Sequence, residues 1–141
     1  MIRIIPFLFL IMSCGSLKNT PDTNFSILYA SEFGGAEKSG FLLIENNESY
    51  IKFIESLKLD EADYANFLKV DFKKKNVIVL YQGQKSSGGY AITIVSVSND
   101  KNTILVKKKE IEPNKGDLVT TVITQPYCMA LIPKGNKLII E

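Results

Sequence analysis

Histidine and tryptophan are absent from this 141-residue chain, and Arg3 is its only arginine. Without histidine the chain has neither the commonest general base nor the commonest transition-metal ligand. With a single arginine it has little of the bidentate fork that clamps phosphate. These absences weigh against hydrolase, zinc and nucleotide chemistry, so no catalytic residue, cofactor or metal is expected. Cysteine is scarce as well, limited to Cys14 and Cys128. Seventeen basic residues face fifteen acidic ones, a net charge of +2 that gives no basic stripe for nucleic acid. The runs Lys73-Lys74-Lys75 and Lys107-Lys108-Lys109 read as solvated strand ends or edge gatekeepers. Asp60, Glu61 and Asp63 are the closest group of carboxylates, too few for a calcium loop and better suited to capping a helix.

No apolar stretch reaches the ~20 residues needed to span a bilayer. The amino terminus has a shorter one: Arg3 precedes an apolar run at 4–12, and Ser13 stands directly before Cys14. This is the layout of a bacterial secretion signal. Ile11-Met12-Ser13-Cys14 resembles the lipobox of bacterial lipoproteins, in which a peptidase cuts before the cysteine and lipid is attached to it. The resemblance implies a signal peptide at 1–13, a membrane anchor at Cys14 and placement in the cell envelope. Gly15, which is not the Asp that retains enteric lipoproteins at the inner membrane, favours the outer membrane of a two-membrane cell. With Cys14 consumed, Cys128 has no partner within the chain and reads as a buried thiol in the apolar stretch 127–133.

Residues 14–24 are polar and form a lipidated, flexible tether, leaving 25–141 as a single domain. Short apolar runs at 25–29 and 40–46 read as strands joined through Gly34-Gly35. The period then changes. Tyr50, Phe53, Ile54 and Leu57 share one helical face, with Asn47 as the expected N-cap and Glu48 in the first turn. A second short helix follows Asp60, with Tyr64, Phe67 and Leu68 on one face. From Val70 the chain alternates like a sheet. Strands are expected at 77–81 (buried on both faces), 90–97, 103–111, 118–124, 127–132 and 138–140, with turns at 99–102, 113–117 and 134–136. The fold class is therefore α+β and mostly β: an antiparallel sheet or sandwich with one or two short helices packed at one end.

The motif order from Val70 to Pro133 is specific. Asp71-Phe72 precedes lysines and a strand, then Gly83-Gln84-Lys85-Ser86-Ser87-Gly88-Gly89-Tyr90, then Glu112-Pro113, a further strand and Gln125-Pro126-Tyr127. This resembles the C-terminal domain of the PrcB family, named for a lipoprotein subunit of a surface protease complex. The resemblance implies an extracytoplasmic β-rich domain that binds another protein and supports or regulates a protease; it brings no catalytic residues. Read from the residues, Gly88 and Gly89 suit a hairpin turn in which glycine supplies positive φ and Tyr90 packs on the sheet. The functional reading makes Ser86, Ser87, Gly88, Gly89, Tyr90, Pro126 and Tyr127 a protein-binding edge. Ser86-Ser87-Gly88-Gly89-Tyr90 and Gln125-Pro126-Tyr127 also resemble loops of chagasin-type protease inhibitors, although their central glycine-rich motif is missing and Gln125 stands where an arginine is usual. Protein binding, direct protease inhibition, and a structural or small-ligand role in the envelope are the three functions left open.

Overall fold

The computed structural model describes residues 25–67 and 69–141, so the signal, Cys14 and the tether lie outside the described residues. Among the described residues seven strands and two helices follow in chain order: β1 (Ser26–Ser31), β2 (Gly40–Ile44), α1 (Asn47–Ser56), α2 (Glu61–Phe67), β3 (Lys75–Tyr81), β4 (Ala91–Asp100), β5 (Thr103–Ile111), β6 (Tyr127–Pro133) and β7 (Lys137–Ile140). Two sheets result. One is antiparallel with the order β1-β6-β3-β2; the other has the order β4-β5-β7, with β7 parallel to β5. Among the described residues no helix is long and apolar enough to cross a membrane.

The period-2 geometry of β3 and β6 divides the core into two layers. Ile78 and Leu80 of β3, with Cys128, Ala130 and Ile132 of β6, pack against Ile92, Ile94 and Val97 of β4 and Ile104 and Val106 of β5. The alternate residues, Val77, Val79, Tyr127 and Met129, turn to the opposite face and meet Tyr50, Ile54 and Phe67 of the helices. β3 is thus buried on both faces, as its unbroken apolar run implies. Burying each such aliphatic side chain contributes ~1.5–3 kcal/mol before chain entropy is charged. The helices lie over the outer face of the four-stranded sheet, and the second sheet covers its inner face.

Helix α1 starts one residue earlier than its sequence suggests. Asn46, extended at φ −144° and ψ 160°, is the N-cap, and its side chain accepts from the Ser49 amide at 2.9 Å. Asn47 is the first helical residue. The β4–β5 hairpin turns through Lys101 and Asn102, both at positive φ (46° and 71°), the pair of left-handed residues that a two-residue turn of primed type requires. β1 and β2, though consecutive, occupy opposite edges of their sheet rather than pairing.

Two sequence expectations fail here. The segment 82–90 is not a hairpin turn, because β3 and β4 belong to different sheets and the segment carries the chain from one to the other. Residues 118–124 are not a strand: 118–123 run exposed along the molecule with a bend at Val122, and only Thr124, which is buried, forms a bridge, to Lys85. Alternation of β-branched residues made the segment strand-like, but no neighbouring strand extends the ladder.

Candidate protein-binding end of the sandwich

The registers Ser31↔Tyr127, Tyr81↔Tyr127 and Gly40↔Tyr81 bring the end of β1, the start of β2, the end of β3 and the start of β6 to the same pole of the sandwich. Three loops therefore gather there: 32–39, 82–90 and 112–126. Backbone hydrogen bonds knit them together. Lys85 and Thr124 exchange bonds of 2.8 and 3.0 Å, the Gly88 amide donates to Thr120 O at 3.0 Å, and the Gln82 amide donates to Pro126 O at 3.0 Å. The first loop joins through the Gly35 amide to Gln125 O at 2.9 Å and the Gln125 amide to Glu32 O at 2.8 Å. Side chains add to this. Thr124 Oγ1 donates to Ser87 O at 2.8 Å, and Glu32 Oε1 accepts from the Gly89 amide at 3.3 Å.

The sequence-selected segments Ser86–Tyr90 and Gln125–Tyr127 are thus neighbours, but their residues do different things. Ser86 and Gly89 are exposed, Ser87 and Tyr90 half-buried, and Gly88, Pro126 and Tyr127 buried. Tyr127 is only 3 % exposed, its ring 6.0 Å from that of Tyr29 and 6.4 Å from that of Tyr81. Burial, then the neighbouring tyrosines, push its hydroxyl up to about 12. Pro126 and Tyr127 seat the third loop on the core, and a partner could not reach either without opening it. Lys85 Nζ stands 5.2 Å from the centre of the Tyr90 ring, a cation–π contact that ties the second loop to itself.

The two glycines are explained by close approach. A Cβ on Gly88 would fall 2.5 Å from Thr120 Oγ1. Gly89 has φ +87°, and a Cβ there would stand 3.1 Å from Val119 Cγ1 and 3.2 Å from Pro113 Cβ. Both lie under the 112–126 loop and let it settle against them.

That loop carries the surface which the sequence reading missed. Leu118 is fully exposed, Ile123 is 62 % exposed, and Val119 and Val122 are each about 40 % exposed. Phe33, on the first loop, is exposed as well. No charge interrupts 118–124, and the backbone of Val119, Thr121 and Ile123 makes no hydrogen bond among the described residues. The signal was present as an uncharged β-branched run, but a run of that kind looks the same whether or not a sheet receives it.

Acid–base chemistry finds little here. Cys128 is fully buried, and burial, partly offset by hydrogen bonding to Thr93 and the Ile94 backbone, pushes its thiol up to about 11. A thiol so protonated and enclosed is not a nucleophile at neutral pH. Away from this pole, hydrogen bonding to Asp60, and then its charge, raise Asp63, and the Tyr64 amide donates to Asp60 O at 3.0 Å at the start of α2. Among the described residues no three His, Cys, Asp or Glu side chains come together to hold a metal ion.

Residues 76–133 match the family model described as PrcB C-terminal. The match runs from β3 to the end of β6 and includes the second and third loops of this pole. β1, β2, both helices and β7 lie outside it. No curated protein and no solved structure matches the chain.

Proposed function

We propose that this chain is a non-catalytic, lipid-anchored domain of the cell envelope whose loop pole binds another extracytoplasmic protein, within or beside a protease complex. The PrcB C-terminal match supports the protease-complex association at the level of the family. One observation carries the reading to a place on the molecule: the uncharged stretch 118–123, held outward by the glycine loop, exposes Leu118, Val119, Val122 and Ile123 together. Apolar side chains grouped on a rigid loop are a common feature of recognition surfaces. Anchoring at Cys14 would restrict the domain to the membrane surface, where partners are concentrated.

The test is recovery of partners from the native membrane with the full-length protein, beside a Leu118→Glu, Ile123→Glu variant. Both residues are exposed, so the variant should fold as the parent does. Loss of a specific partner supports the reading, and equal recovery from both proteins removes it. Anchoring is checked separately by Cys14→Ser, which should release the protein from the membrane fraction. Direct protease inhibition has less support, because Pro126 and Tyr127, the loop that would have to enter a cleft, are buried.

A further inference from the structure

The two ends of the sandwich carry different charge. Opposite the loop pole, β1 begins, β6 ends and β3 begins, since Ser26 pairs with Leu131 and Lys75 with Pro133. The tip of the β4–β5 hairpin is fastened to the same end: the amides of Asn136 and Lys137 donate to Asn102 O at 2.8 and 3.4 Å. Five exposed lysines therefore share this end. Lys73 and Lys74 lie in the turn before β3, Lys101 in the hairpin tip, Lys134 after β6 and Lys137 at the start of β7.

The backbone beneath them is fixed. Asp71 Oδ1 accepts from the Lys73 amide at 3.0 Å, and Asp71 O accepts from the amides of Lys74 and Lys75 at 3.0 and 3.1 Å. Gly135 packs so tightly that a Cβ there would fall 2.6 Å from Ile104 Cγ1 and 2.7 Å from Asn102 O. Carboxylates are fewer at this end. Asp71 turns its own to the Lys73 amide, and Asp100 stands beside Lys101 in the hairpin. Glu45 and Glu48 lie toward β2, the sheet edge farthest from β1; Glu45 accepts from Asn76 Nδ2 at 3.5 Å and Glu48 is paired with Lys52 at 2.7 Å. The loop pole has the opposite balance, Glu32, Glu37, Glu112 and Asp117 against Lys38, Lys85 and Lys115.

The lysine end is also where the chain arrives from Cys14, because Phe25 immediately precedes β1. Even fully extended, the chain from Cys14 to Phe25 reaches at most about 40 Å. That is comparable with the ~35 Å breadth of a domain of this size, so an anchor at Cys14 keeps this end within one domain breadth of the bilayer.

We propose that the lysine end is a membrane-facing surface that rests on anionic lipid headgroups and holds the loop pole away from the bilayer. This orientation rests on the anchored reading given above. Lipid at Cys14 supplies the affinity, and lysines near an anionic leaflet supply the direction. The seven residues of β3 set the two poles ~24 Å apart, beyond the ~8–10 Å over which salt lets charges act, so the carboxylates of the loop pole do not oppose the contact. The loops that gather Leu118 and Ile123 then point toward other proteins rather than toward lipid.

Site-by-site acylation of lysines tests it. The full chain, purified from its own membrane, is bound to phosphatidylcholine vesicles with or without phosphatidylglycerol, treated with a charged amine reagent, and each lysine is quantified by mass spectrometry. Lys73, Lys74, Lys101, Lys134 and Lys137 should react severalfold more slowly when phosphatidylglycerol is present, and high salt should remove the difference. Lys38 and Lys115, at the loop pole, should keep their rates. Equal slowing at both poles, or none at the lysine end, overturns the proposal. Combining Lys73→Glu, Lys74→Glu and Lys134→Glu should leave the circular dichroism spectrum unchanged and free Lys101 and Lys137 from protection; protection that persists overturns it as well. Flotation with the neutral vesicles reports the anchor separately. A chain that fails to float with them refutes anchoring, whereas missing protection on the anionic vesicles refutes the lysine surface whether or not the chain floats.

Discussion

Gly89→Ala separates the two reasons for a glycine at that position. The left-handed backbone at φ +87° penalises any residue with a Cβ, by ~1–2 kcal/mol. A second cost is local: the new methyl would stand 3.1 Å from Val119 Cγ1 and 3.2 Å from Pro113 Cβ, so the 112–126 loop must move outward. Overpacking of this kind costs ~1–3 kcal/mol in a well-packed interior and less where a loop can yield, so the sum is about 2–4 kcal/mol. Gly116 provides the control. It has φ +98° in the same loop, but a Cβ there would meet nothing within 4 Å, so Gly116→Ala should cost only the backbone part, about 1–2 kcal/mol. For a domain of this size each kcal/mol lowers Tm by roughly 3–6 °C. Thermal unfolding followed by circular dichroism should therefore rank parent, Gly116→Ala and Gly89→Ala in descending Tm, and adding Val119→Ala to Gly89→Ala should recover part of the loss. Equal losses at the two glycines, or no recovery with Val119→Ala, would refute the argument that the glycine loop exists to seat its neighbour.

Tyr50 of α1 is fully buried, its ring 5.5 Å from that of Phe72, and its hydroxyl has no hydrogen-bond partner among the described residues. Tyr50→Phe should leave stability unchanged or raise it by ~1 kcal/mol in urea unfolding, and a loss of similar size would mean that the hydroxyl is satisfied. Asn46→Ala should cost ~1 kcal/mol by removing the cap of α1, whereas Asn47→Ala should cost much less; the reverse order would return the cap to Asn47. Burial raises Cys128 from 9.0 to about 11, and Tyr50 and Tyr127 from 10.0 to about 12. The folded chain thus keeps protons that the unfolded chain gives up. Its stability should fall as pH rises from 9 through 12, by about 1.4 kcal/mol per pH unit for each group titrating only in the unfolded state. A urea midpoint that does not change from pH 8 to 11 would contradict this.

The fold was legible wherever one residue pattern admitted one solution. A ten-residue stretch with Tyr50, Phe53, Ile54 and Leu57 on one face could bury its apolar side only as a helix, and the unbroken run Val77-Ile78-Val79-Leu80 required cover on both sides, which the helices and the second sheet provide. The β5 strand begins and ends where its hydrophobic and lysine pattern placed it. Long-range pairing was not legible. That β1 and β2 flank opposite edges, that β6 inserts between β1 and β3, and that β7 runs parallel to β5 all depend on contacts between segments far apart in sequence, on which local periodicity carries no information.

The candidate site shows the same division more sharply. Sequence reasoning chose Ser86–Tyr90 and Gln125–Tyr127 because glycine, proline and aromatic residues at strand ends are unusual, and the structure does bring the two segments together. What it could not assign was which of them faces outward. Tyr127 alternates with Cys128 along β6, so one must point to the helices and the other to the second sheet, and neither can point to solvent. Gly88 and Gly89 have no side chains to present; their role is negative, a space that Thr120 and Val119 occupy. The consequence is that the unusual residues support the surface and ordinary ones form it. Leu118, Val122 and Ile123 drew no attention as part of an expected strand, yet a β-branched run that finds no sheet to join must leave its apolar side chains in water unless another chain covers them. A binding variant should therefore be made at those residues. Gly89→Ala would lower stability and lift the loop at once, so a partner lost through it could not be attributed to contact.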